Sequence, residues 1–100
     1  MYIAMNRFRV AKGREQDFID IWKNRESMLD QVPGFKEFHL LQGASDDTAT
    51  LFSSHAVWDS AEDFGNWTRS EAFRKAHANA GGSRDLYQGP PQFEGFDVVI

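Results

Sequence analysis

The chain has 100 residues, 41% of them apolar and 26% charged, with eleven basic against fifteen acidic side chains and a formal net charge of −4. This balance predicts one folded domain spanning residues 1–100. It argues against a nucleic-acid partner, which would need a basic stripe to meet phosphates. The chain contains no cysteine, which excludes disulfides, thiolate catalysis, zinc fingers and iron–sulfur clusters.

The opening stretch MYIAMNRFRV lacks the charged start and apolar run of a secretory signal, and no apolar run is long enough to span a bilayer. A cytoplasmic domain without a membrane partner is the expectation. Fourteen aromatic side chains, nine of them phenylalanine, are generous for this length and leave room for a flat apolar small molecule. YIAMNRFRV alternates with the period of a strand. Tyr2, Ala4, Asn6, Phe8 and Val10 share one face, and Ile3, Met5, Arg7 and Arg9 the other. After the turn AKGR, Phe18, Ile21, Trp22, Met28 and Leu29 fall at helical spacing, predicting a helix from about Glu15 to Asp30. VPGF stops it, because proline disfavours helix in the residue before it and glycine invites a turn.

FKEFHLLQG and TATLFSSHAVW read as two strands of a hairpin joined at ASDD. DSAEDFGNW opens a second helix, with Ser60 as its N-cap and acidic residues in its first turn. Ser70 is positioned to cap a further helical piece, so TRSEAFRKAHA is expected to continue after a break. NAGGSRDLYQGPP reads as a loop and FEGFDVVI as a last strand. The order is β-α-β-β-α-β, an α+β ferredoxin-like arrangement with one antiparallel sheet carrying both helices on one face. The other face also bears apolar side chains, and a second copy of the chain is its simplest cover, predicting a homodimer.

Three residues invite a chemical reading. Asn6 interrupts an otherwise apolar strand row. A buried amide without partners costs about 1–3 kcal/mol, so it either bonds to nearby backbone or serves as a neutral donor aimed at a ligand. Trp67 follows Phe64 at helical spacing and suits a core stripe. His77, late in the second helical piece, suits the helix dipole; a single imidazole is also all that a haem iron needs from a protein. An unbroken helix would hold Trp67 and His77 roughly 15 Å apart along its axis, and a break near Ser70 shortens that distance. His39, His55 and His77 lie on three different elements, which is a poor pattern for zinc. Ser54 and His55 are strand neighbours pointing apart, so they make no nucleophile–base pair. AGGSR does not sit between a strand and a helix, which leaves neither nucleotide nor flavin binding supported.

MNRFRVAKG, PGFKEFHLL and VWDSAEDFGNWTRSEAFRKAHA together resemble the antibiotic-biosynthesis-monooxygenase-like family of dimeric α+β barrel proteins. Within that family the chain looks most like the IsdG-type haem-degrading monooxygenases. The resemblance runs from the first strand through the second helix; the loop after Ala80 and the last strand carry little of it. It implies a homodimer that binds haem, here both substrate and oxygen-activating cofactor, and opens the porphyrin with electrons from an external donor such as a reductase. By that likeness His77 would be the proximal iron ligand, Asn6 a distal hydrogen-bond donor, and Trp67 the residue pressing the porphyrin out of plane. Phe64 and Phe73, on the same segment, complete the expected haem-contact set. Arg7, Arg9, Arg25, Arg69 and Arg84 are candidate cations for the propionates, although strand phase sets Arg7 and Arg9 opposite Asn6. Related members of the family imply a rival reading, cofactor-independent oxidation of aromatic phenols to quinones, which would not need His77. Two further readings are a non-catalytic dimeric module that holds haem or another hydrophobe or only mediates assembly, and plain packing roles for all three residues.

Overall fold

The computed structural model describes residues 1–24, 29–71, 73–74 and 86–100. In chain order these form β1 (Tyr2–Ala11), α1 (Glu15–Lys23), β2 (Phe35–Ser45), β3 (Ala49–Trp58), α2 (Ala61–Thr68) and β4 (Gln92–Asp97). The strands make one sheet in the order β2-β3-β1-β4, with every neighbouring pair antiparallel. This is the ferredoxin-like α+β fold that the element order implies.

Alternation along the strands decides what each helix meets. Phe18 of α1 is fully buried against Phe8 and Phe52, with ring centroids 5.2 and 4.8 Å away. Trp22, one helical turn on, stacks against Phe38 of β2 at 5.5 Å. Phe64 of α2 meets Tyr2, Trp58 and Phe93 at 5.5–5.8 Å. All of these sheet residues point to one face, so both helices pack there. Burying a side chain such as Phe18 or Trp58 contributes roughly 1.5–3 kcal/mol each, and the apolar stripe drives the docking more than helix propensity does in helices this short.

Local chemistry sets the element ends. Ser60 caps α2: its hydroxyl accepts from the Asp63 backbone N–H at 3.1 Å. Gly34, at φ 85°, allows the turn into β2; a Cβ there would run into the Asp63 side chain. Its carbonyl accepts from the Asp59 N–H at 2.8 Å, tying the start of β2 to the entry of α2. At the β2–β3 turn the Asp46 carboxylate accepts from the Thr48 and Ala49 N–H groups, both at 2.8 Å. Those bonds hold its carboxyl well below the ordinary carboxylate range.

Two expectations are corrected. The first helix ends at Lys23, with the Asn24 N–H closing back on Asp20, rather than continuing to Asp30. Leu29–Gln31 instead form a 3-10 turn leading into VPGF. The stripe that suggested a longer helix includes Leu29, which lines a cavity from that turn. Met28 lies outside the described residues. Of the loop before the last strand, the described end, residues 86–91, is tied to the core. Leu86 is fully buried in the core with Phe8, Val10, Phe18 and Phe52, and Tyr87 bridges to Val10 of β1. The last strand stops at Asp97, short of the Val98–Ile100 end that its apolar run suggested.

The opposite sheet face carries Met5, Arg7 and Arg9 of β1, His55 and Leu51 of β3, His39 and Leu41 of β2, and Glu94 and Phe96 of β4. Leu41, Leu51 and Phe96 are exposed on it.

Candidate active site

Between the sheet and α2 the side chains fail to meet and leave a cavity of about 500 Å³. The sequence of the strands explains the hollow. On neighbouring strands β1 and β3, Ala4 and Ala56 stand side by side and line the cavity, so the floor under the helix is made of small side chains. Tyr2 leans over Gly95 so closely that a Cβ there would collide with its hydroxyl. The walls are aromatic: Trp67 and Phe64 from α2, Phe73 beyond it, Trp22 from α1, Phe38 from β2 and Phe93 from β4. Phe93, stacked on Phe64 at 5.5 Å and 10° between planes, forms the rim and is 52% exposed.

Asn6 and Trp67 therefore open on the same space, with Phe64 and Phe73 beside them. Trp67 is held on edge to Phe73, with centroids 4.8 Å apart at 88°, and lies 5.6 Å from the buried Trp58. Such a packed indole keeps one orientation. The expected break is present: α2 ends at Thr68, the Ser70 hydroxyl donates to the Trp67 carbonyl at 2.6 Å, and it accepts from the Phe73 N–H at 3.2 Å. Phe73, beyond the break, also lines the cavity. His77 lies outside the described residues, as do Arg25 and Arg84.

The described part of the site is uncharged. No titratable side chain is among the described residues that line it, and besides the Trp22 and Trp67 indoles its polar side chains are Asn6, Ser54 and Thr68. The Thr68 hydroxyl is already donated to the Gly65 carbonyl at 2.8 Å. The Asn6 carboxamide oxygen is buried and has no hydrogen-bond partner. The described walls therefore supply orientation and exclusion of water, with no resident general acid or base. The other histidines are elsewhere: His39 and His55 face each other across β2 and β3, ring centroids 6.3 Å apart, on the far side of the sheet. Among the described residues no three histidine or acidic side chains gather into a metal site. Of the candidate arginines, Arg7 and Arg9 lie on the sheet face opposite Asn6, as strand phase implied. Arg7 pairs with Glu94 at 2.7 Å, Arg9 with Asp46 at 3.3 Å, and Arg69 reaches Asn66 at 2.8 Å.

Sequence reasoning missed Trp22, Phe38, Ser54 and Phe93 as cavity residues. Trp22 and Phe38 were readable only as core positions. Ser54 and Phe93 enter because the register places both directly opposite Asn6, one on each neighbouring strand.

Known proteins similar to this chain include heme degraders and a cofactor-independent oxygenase. The chain is 29% identical over 85 residues to a staphylobilin-producing heme oxygenase of Staphylococcus epidermidis, an alignment covering 85% of this chain and 81% of the relative. Its fold matches that of the heme-degrader MhuD from Mycobacterium tuberculosis, solved with two hemes bound in its active site. That match has a TM-score of 0.75 and 22% identity, over 100% of this chain and 97% of the other. It also matches SnoaB, a cofactor-independent oxygenase from Streptomyces nogalater, with a TM-score of 0.69 and 17% identity, over 99% and 94% of the two chains. At these identities the two structures speak for the fold alone. The family model for antibiotic biosynthesis monooxygenases matches residues 1–79, from β1 past the Asn6 and Trp67 positions and through the helical break. With its sheet order and its cavity between sheet and α2, the chain belongs to the antibiotic biosynthesis monooxygenase family.

Proposed function

We propose that the chain is a haem-degrading monooxygenase, binding haem in the cavity between the sheet and α2 and opening the porphyrin to release iron. One observation carries the reading: Asn6, with its orphaned carboxamide oxygen, and Trp67 share one aromatic-walled space of about 500 Å³. A flat, largely apolar macrocycle suits walls made of Trp22, Phe38, Phe64, Trp67 and Phe73. None of the described lining residues is charged, which suits a ligand that brings its own reactive centre. The likeness to the staphylococcal heme oxygenase supports the same choice.

In this reading His77 holds the iron through one neutral imidazole. When bound, haem would supply both the oxygen-activating iron and the ring to be opened, with electrons from an external donor. Asn6 contributes a hydrogen-bond donor that has no acidic proton to lose, so it steers a polar ligand without acting as an acid. Trp67, held from behind by Trp58 and at its edge by Phe73, is a stiff surface pressed on one side of the cavity. Phe64 and Phe93, stacked on each other, give the mouth of the cavity an aromatic rim. The reading includes a cytoplasmic homodimer joined through the open sheet face, where Leu41, Leu51 and Phe96 are exposed.

The test is a haemin titration followed in the visible spectrum, with wild type and His77→Ala. A shifted Soret band in wild type, lost in the variant, supports iron ligation. Loss of that band with release of chelatable iron, on adding ascorbate in air with catalase present, supports degradation. A bound but stable spectrum points to a haem-holding module. No binding refutes the proposal and turns the search to oxidation of a hydroquinone or anthrone.

A further inference from the structure

Asn6 cannot act as a steady donor while its carboxamide is free to turn over, because oxygen and nitrogen then exchange places at the cavity wall. Something must hold the oxygen. Every side chain next to Asn6 on its sheet face follows from the register. Ala4 and Phe8 precede and follow it on β1, Phe93 lies opposite on β4, and Phe52 and Ala56 lie diagonally on β3. All five are apolar. The remaining neighbour is Ser54, directly across the β1–β3 pair, 9% exposed and lining the cavity.

We infer that Ser54 is a positioning residue for Asn6: its hydroxyl donates to the buried carboxamide oxygen and so keeps the amide N–H groups turned into the cavity. Directly opposed residues of an antiparallel pair have Cβ atoms about 4.5–5.5 Å apart, within reach of a bond between a hydroxyl and an amide. In the structure the Asn6 oxygen is buried and unpartnered, the state that a rotation of Ser54 about χ1 relieves. The adjacent serine cannot substitute. Ser53 points to the other face, and its hydroxyl donates to the Ser54 carbonyl at 3.0 Å. The bond leaves the Asn6 oxygen satisfied and assigns the donor end of the amide to the ligand, which is the polarity that the proposed haem reading requires and on which this inference rests.

The experiment compares wild type, Ser54→Ala and Ser54→Thr, the last retaining a hydroxyl. In the haem-free protein the Asn6 side-chain NH₂ signals, assigned by their loss in Asn6→Ala, are followed by ¹H–¹⁵N NMR. They move in Ser54→Ala and return to the wild-type position in Ser54→Thr. In the haemin-loaded protein, azide serves as an iron-binding anion that accepts hydrogen bonds. Its affinity falls roughly tenfold in Ser54→Ala, the loss of about one hydrogen bond, and Ser54→Thr restores it. Haemin affinity itself changes by less than about threefold, since the apolar walls are intact. Unmoved Asn6 signals in Ser54→Ala overturn the inference, and so does unchanged azide affinity in a protein that binds haemin. If wild type does not take up haemin, the proposed function fails, and the NMR comparison alone decides whether Ser54 holds Asn6.

Discussion

Replacing Ala56 by leucine should make the protein more stable and less able to bind its ligand. Ala56 stands on the cavity floor, with Ala4 opposite it on β1 and Phe38 on β2. Leucine adds three carbons directed into open space. Complete burial would contribute about 0.8 kcal/mol per carbon, or about 2 kcal/mol in all. The cavity opens past the half-exposed Phe93, so about half of that is the expected gain. A gain of about 1 kcal/mol raises the melting temperature of a domain this size by roughly 4–8 °C. The same side chain occupies floor space that a flat ligand needs, and haemin affinity should fall at least about tenfold, or 1.4 kcal/mol. The assay pairs thermal or urea unfolding of the haem-free protein with a Soret titration. A lower melting temperature together with unchanged haemin affinity would refute the reasoning, since it would mean that Ala56 faces packed side chains instead of a ligand space.

Phe18→Ala should cost about 3–5 kcal/mol in urea unfolding, because the ring is fully buried against Phe8 and Phe52 and its removal leaves a cavity in the core. A loss below about 1 kcal/mol would place Phe18 outside the cooperative core. Asp46 is held below the ordinary carboxylate range by the Thr48 and Ala49 N–H groups and the Thr48 hydroxyl. A depressed value stabilises the fold above the unfolded-chain value of 3.8, and that contribution fades as pH falls below it. Thermal melts taken downward from about pH 4 should therefore fall more steeply for wild type than for Asp46→Ala, and parallel slopes would contradict this. For the proposed homodimer, Leu51→Asp places a charge on the open sheet face and should shift sedimentation toward the monomer, whereas an unmoved dimer would locate the interface elsewhere.

How far the sequence carries can be judged residue by residue. Alternation in YIAMNRFRV suffices to set Asn6 on the face of Ala4 and Phe8 and to turn Arg7 and Arg9 away, because a strand has only two faces. The Ser60 and Ser70 caps are equally local: each acts on an N–H three residues on, and α2 and the break after it follow. One antiparallel sheet with both helices on one face was legible too, since βαββαβ leaves few ways to close a sheet. The length of the first helix was not. Leu29 continues its apolar spacing but belongs to a 3-10 turn, and periodicity cannot separate a helical stripe from a turn that buries the same side chain.

What the sequence determined by itself, then, is direction: which side chains share a face, where helices start, and which polar residue stands among apolar ones. The tertiary structure alone decided adjacency. That Ser54 and Phe93 flank Asn6 and that Ala4 and Ala56 align into a floor depend on register between strands distant in the chain, and Leu86 reaches the core beside the bridge from Tyr87 to Val10. Register is chosen by the whole set of ladder hydrogen bonds and buried faces at once, so no local stretch of residues encodes it.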